Sequence, residues 1–87
     1  MALSFPNLSR SYDSTRRAVR FWGYDSSMET SFFVMADALR RIQPGLKPDE
    51  PDLLRAFDSN RDQICAAAQK AYRRGTKGSY ELGPADF

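Results

Sequence analysis

The chain has 87 residues, 41% of them apolar, and its 13 lysines and arginines exceed its 11 acids to leave a net charge of +2. A single domain of this size hides roughly 60–65% of its unfolded surface, so its stability is expected to be modest. The absence of histidine and the presence of one cysteine, Cys65, exclude a Ser-His-Asp triad, a Cys-His pair, a histidine metal site and an internal disulfide.

Leu3 to Pro6 is short and partly apolar and reads as an edge strand ended by Pro6 and Asn7. Tyr12-Asp13-Ser14-Thr15 has turn chemistry, because Asp and Ser side chains bond their own backbone. Ala18 to Tyr24 is rich in β-branched and aromatic residues and reads as a strand. Asp25-Ser26-Ser27 turns it, and Met28 to Val34 returns. An even loop with Ser26 and Ser27 at its tip puts Val19, Phe21, Phe32 and Val34 on one face. The other face then holds Arg20, Trp22, Tyr24, Ser31 and Phe33. A slip of one residue would exchange the faces and sort the apolar residues less well.

Met35, Ala38, Leu39 and Ile42 repeat at helical spacing, so a short helix leaves the returning strand directly, and Gln43-Pro44-Gly45 stops it. After a connector from Lys47 to Pro51, Asp49 or Glu50 before Pro51 opens a second helix with acids at its positive end. Leu53, Leu54, Phe57, Arg61, Ile64, Cys65, Ala68, Ala71 and Tyr72 share one face of that helix. Arg55, Asp62, Ala66 and Arg73 lie opposite. Lys70, Arg73 and Arg74 suit its last turn, and Gly75 is placed to cap it. Asp58-Ser59-Asn60 are poor helix formers, and Ser59 is placed to cap a separate helix. The apolar face keeps its phase across them, so one continuous helix is expected. Ser79 to Leu82 reads as a last strand and Pro84 to Phe87 as a short apolar finish. The fold class is α+β in a single domain over residues 1–87: a small antiparallel sheet of three to four strands, a short helix and one long C-terminal amphipathic helix, in the order β-β-β-α-α-β.

The charges are unevenly laid out. Four arginines face Asp13 alone up to Tyr24, eight acids outnumber five cations from Asp25 to Gln69, and Lys70, Arg73, Arg74 and Lys77 follow with no acid among them. In the first basic stretch, Arg10, Arg16, Arg17 and Arg20 run into Phe21, Trp22 and Tyr24. Cations beside flat rings neutralise phosphates and stack on bases, and the same residue types anchor protein interfaces. Arg16, Arg17, Arg20, Trp22, Tyr24 and Phe33 are the candidate interaction surface.

Other chemistry is sparse. Cys65 lies on the apolar helix face, where a thiol is an inert small hydrophobe. The scattered glycines form no phosphate-cradling loop, and Asp49, Glu50 and Asp52 are helix-start acids rather than a calcium loop. Arg61, in the middle of the apolar face, either sends its guanidinium to the helix edge to meet Asp58 or pairs with a distant acid such as Glu81 or Asp86. No catalytic, cofactor or metal residue is indicated, and an enzyme is not expected. The unpaired thiol, the lack of a leader-like N-terminus and the lack of a spanning segment make the cytoplasm the expected address and a membrane partner unexpected.

Leu3-Ser4-Phe5-Pro6, Arg17-Ala18-Val19-Arg20-Phe21, Ala38-Leu39, Phe57, Asn60-Arg61, Ile64, Tyr80 to Leu82 and Asp86-Phe87 carry a resemblance over nearly the whole chain. The chain resembles a small bacterial family of uncharacterised proteins, the domain of unknown function 1488. The resemblance implies a compact α+β fold, a bacterial source, and a serine where Met35 stands. It implies no activity. Two functions from different classes therefore stand: a protein-interaction or self-association module, which is the preferred reading, and a nucleic-acid-binding module in which the hairpin face stacks on bases while the Lys70–Lys77 segment holds phosphates.

Overall fold

A computed structural model describes residues 3–6, 8–47, 49–73 and 79–87. Four strands form one sheet in the spatial order of the chain: β1 (Ser11–Asp13), β2 (Ala18–Asp25), β3 (Met28–Met35) and β4 (Ser79–Leu82). Three helices, α1 (Ala36–Ile42), α2 (Glu50–Ser59) and α3 (Arg61–Arg73), lie between β3 and β4, and a 3-10 turn (Pro84–Asp86) follows. The fold is mixed α+β, as the sequence suggests.

The central hairpin closes on a two-residue tip. Asp25 pairs with Met28, leaving Ser26, with φ 57°, and Ser27 between them. Val19 then faces Val34 and Phe21 faces Phe32, while Arg20 pairs with Phe33 and Trp22 with Ser31 on the opposite surface. This is the register in which the apolar residues gather on one side. That side is dry: Val19, Phe21, Phe32, Val34 and Leu82 are buried with Leu39, Leu53, Phe57 and Ile64 from the helices. Rings carry the contact through the layer. Phe21 meets Phe32 at 5.4 Å and Phe57 at 5.1 Å, and Phe32 meets Tyr80 at 5.2 Å, arrangements that add to simple area burial.

Three details depart from the sequence reading. First, the sheet is not purely antiparallel, because β4 pairs with β3 in parallel, Phe32 opposite Tyr80. The helices between β3 and β4 form the crossover that a parallel pair requires. Second, Leu3–Pro6 makes only a bridge, Ser4 to Tyr24, while the edge strand proper is Ser11–Asp13 and the turn moves to residues 14–17. Asp13 still supplies the turn chemistry, accepting from the Thr15 and Arg16 amides at 3.0 and 3.1 Å. The N-terminal segment crosses the end of β2 because Gly23 has no side chain. A Cβ there would lie 2.8 Å from Phe5 and 3.2 Å from Leu3 and Phe32.

Third, the long helix is two helices. Asn60 leaves the helical region at φ −119°, its amide bonding Ala56 and Phe57 carbonyls and its side chain bonding the Ala56 carbonyl at 2.8 Å. An asparagine that satisfies carbonyls from its own side chain ends a helix readily. Its carbonyl then accepts the Ile64 amide, so Asn60, not Ser59, joins the two helices. The break takes one residue, so Phe57 and Ile64 stay on one buried face.

Asp49 caps α2 by accepting the Asp52 amide at 3.0 Å, with Pro51 in the first turn. Met35 precedes α1 without a side-chain cap, and the Ala36 amide donates instead to the Arg17 carbonyl at 2.9 Å. Gly45, at φ +89°, completes the turn after α1. The expected cap at Gly75, and Arg74 and Lys77 with it, lie outside the described residues.

Candidate functional site

The outer surface of the sheet holds most of the residues singled out in the sequence. Strand alternation sends Arg20, Trp22 and Tyr24 of β2 and Ser31 and Phe33 of β3 to the side away from α2 and α3. Leu3 and Leu82 are buried in the core on the inner side, and Phe5 and Phe87 pack against it. None of these four is spent covering Trp22.

Guanidinium groups cover the rings instead. Arg16 stands 4.1 Å above the centre of Phe33, and Arg20 lies 5.2 Å from Trp22 and 5.8 Å from Phe33. With this cover Phe33 is only 6% exposed, whereas Trp22 and Tyr24 remain partly open. Arg20 donates to the Ser31 hydroxyl at 3.0 Å, and its Nε is buried without a hydrogen-bond partner. Acids are interleaved with these groups. Arg16 approaches Glu81 at 3.5 Å and Asp13 at 3.7 Å, and the Tyr24 hydroxyl donates to Glu29 at 2.8 Å. The surface is aromatic and mixed in sign.

Arg17 leaves this group. It takes φ 52° at the end of the β1–β2 turn and lines a groove at the end of the sheet with Tyr12, Met35 and Arg40. The second basic stretch is also elsewhere. Lys70 and Arg73 belong to α3, whose Tyr72 ring meets Tyr80 on the inner side of the sheet. Among the described residues, Lys70 and Arg73 therefore do not join the outer face.

Arg61 takes the nearer of its two expected partners. It lies 3.8 Å from Asp58, donates to the Leu8 carbonyl at 2.9 Å and stands 4.7 Å over the Phe57 ring. Of the more distant acids, Glu81 meets Arg16 and Asp86 accepts the Gly83 amide. Arg10, grouped in the sequence with the arginines that run into the rings, instead holds Asp58 through two bonds of 2.9 and 2.8 Å and so ties the N-terminal segment to the helix junction. The charge-assisted pair raises the Arg10 pKa. Burial pushes the Cys65 thiol up, which keeps it protonated and slow to react. The Tyr72 hydroxyl donates to Asp25 at 2.7 Å, and that bond raises its pKa.

Glu29 and Glu81 are the outer-face residues that the sequence reading missed. The register points to Glu29, since it stands directly across from Tyr24. Glu81 and Arg40 reach their places through contacts distant in sequence, which no local pattern announces. Among the described residues no cluster of metal-binding side chains occurs, and no helix is long and apolar enough to cross a membrane.

This architecture has a counterpart in sequence. A family model described as a protein of unknown function (DUF1488) matches residues 3–82. The chain belongs to this family. The DUF1488 fold is also seen in the crystal structure of a protein of unknown function from the same family in Shewanella loihica PV-4, which is similar with a TM-score of 0.80. The likeness covers 92% of this chain and 90% of that one at 16% identity, so it is a likeness of fold. No curated protein matches the chain.

Proposed function

We propose that this DUF1488 chain is a non-enzymatic self-association module, in which the outer face of the sheet meets a second copy of itself. The observation that carries the reading is a partly open Trp22 and Tyr24 beside Arg16, Arg20 and Phe33, with acids set among them. Aromatic and arginine side chains are the usual anchors of interfaces. A surface carrying both signs complements itself across a two-fold axis, Arg20 of one copy having Glu29 or Glu81 of the other to meet. The lone cysteine and the lack of histidine fit a cytoplasmic, non-catalytic role.

Single-stranded nucleic acid is the other occupant that an arginine-aromatic face admits. The interleaved acids, and the placement of Lys70 and Arg73 behind the sheet, favour the protein contact. Light scattering after size exclusion is the test. A dimer at micromolar concentration that Trp22→Ala converts to monomer supports the reading. A monomer at all concentrations overturns it. Binding of mixed single strands that falls steeply with salt would replace it with the nucleic-acid reading.

A further inference from the structure

The groove at the end of the sheet has a different composition from the outer face. It measures about 450 Å³ and lies where the β1–β2 turn meets the start of α1, lined by Tyr12, Arg16, Arg17, Met35, Asp37 and Arg40. That volume falls within the range of small-molecule sites. Tyr12 and Met35 bring apolar surface, and three guanidinium groups face one carboxylate.

Arg16 is already shared between Asp13 and Glu81, so its charge is largely answered. Arg17 and Arg40 are exposed, and among the described residues neither has a carboxylate at ion-pairing distance. Together they exceed Asp37 by one positive charge. They come from elements separated by β2 and β3, and the bond from the Ala36 amide to the Arg17 carbonyl holds those elements together.

The backbone supplies an independent sign. Arg17 sits at φ 52°, a left-handed conformation in which glycine or asparagine is the residue of least strain. Nothing in the turn calls for a long cation there. Strained positions that persist with an ill-suited side chain cluster at binding sites, where the side chain is needed for something other than the fold.

We propose that this groove binds a small organic oxyanion, a phosphate or carboxylate group on a flat apolar body. Arg17 and Arg40 hold the anionic group, and Tyr12 and Met35 contact the body. A planar fork of donors suits both kinds of oxyanion. The site does not depend on the self-association reading.

The test uses the whole chain, with phenyl phosphate, benzoate and uncharged benzyl alcohol as probes and amide chemical shifts as readout. Saturable shifts centred on Arg17, Ala36 and Arg40 with phenyl phosphate or benzoate support the proposal, and the tighter of the two identifies the anion. Arg40→Gln, on the exposed side of α1, should weaken that binding about tenfold, as expected when a charged hydrogen bond is lost. Arg17→Gly should weaken it similarly while melting no lower than wild type, because glycine suits the turn; a purely structural role for Arg17 would lower the melting point and spare the binding. Absence of localised shifts, equal binding by both variants, or equal binding of benzyl alcohol would overturn the proposal.

Discussion

The two faces of the sheet are made from alternate residues of the same strands, and both are rich in aromatic rings, yet they solve burial differently. On the inner face ring packs on ring, Phe57 against Phe21 against Phe32 against Tyr80, and the helices close the layer. On the outer face the rings of Trp22 and Phe33 are covered by Arg16 and Arg20, whose charged ends keep contact with Glu81, Asp13 and Ser31. A ring under a helix is committed to the fold. A ring under an arginine can be uncovered by a side-chain rotation, and so is available to a partner. Composition alone does not separate these fates; the two-residue period of the strand does.

Truncation of one ring on each face breaks or sharpens this contrast. Phe57→Ala empties the centre of the inner layer and should cost about 3–5 kcal/mol, enough to unfold a domain of this size. Denaturant melts would show it, and a mutant melting within a few degrees of wild type would mean that the inner face is not the seat of stability. The next effect lies at the rim of that face. Tyr72→Phe deletes the bond to Asp25 that ties α3 to the hairpin tip, and should lower stability by less than Phe57→Ala does.

The same bond has a pH signature. Because the folded Tyr72 pKa is raised, its contribution is fully present below the ordinary tyrosine value near 10.0 and is lost as pH rises through the higher folded value. Wild type should therefore lose stability faster than Tyr72→Phe above pH 10.0 in parallel melts. An identical alkaline slope in the two proteins would show that the bond does not form in solution. Trp22→Ala should cost less in folding than Phe57→Ala, since its ring is partly open and leans on a guanidinium rather than on a stack of rings. Its intended consequence is in the oligomeric state. A loss as large as that of Phe57→Ala would erase the distinction between the faces.

Much of this arrangement is legible in the sequence because it rests on local rules. The hairpin register follows from the alternation around Ser26-Ser27, and the shared face of Phe57 and Ile64 follows from helical spacing. The cap at Asp49 follows from an acid ahead of Pro51. Where local rules compete, the sequence is ambiguous. At Asp58-Ser59-Asn60 the phase of the apolar face favours one helix and the side chains favour a break. A one-residue interruption satisfies both.

By itself, then, the chain determined its class, its central hairpin, its buried helix face and the division of its aromatics into two sets, since each depends on neighbours a few residues away. The tertiary structure alone decided that β4 runs parallel to β3, that Ser11–Asp13 rather than Leu3–Pro6 forms the edge strand, and that Gly23 makes room for Leu3 and Phe5. It also decided that Arg17 turns from the outer-face rings to line a groove with Arg40, and that Arg10 reaches Asp58. These depend on which surfaces remain to be covered once the hairpin and helices exist. That competition is settled largely by contacts between residues far apart in sequence, such as Phe32 with Tyr80, Arg10 with Asp58 and Arg16 with Glu81, for which no short-range pattern in the sequence carries a signal.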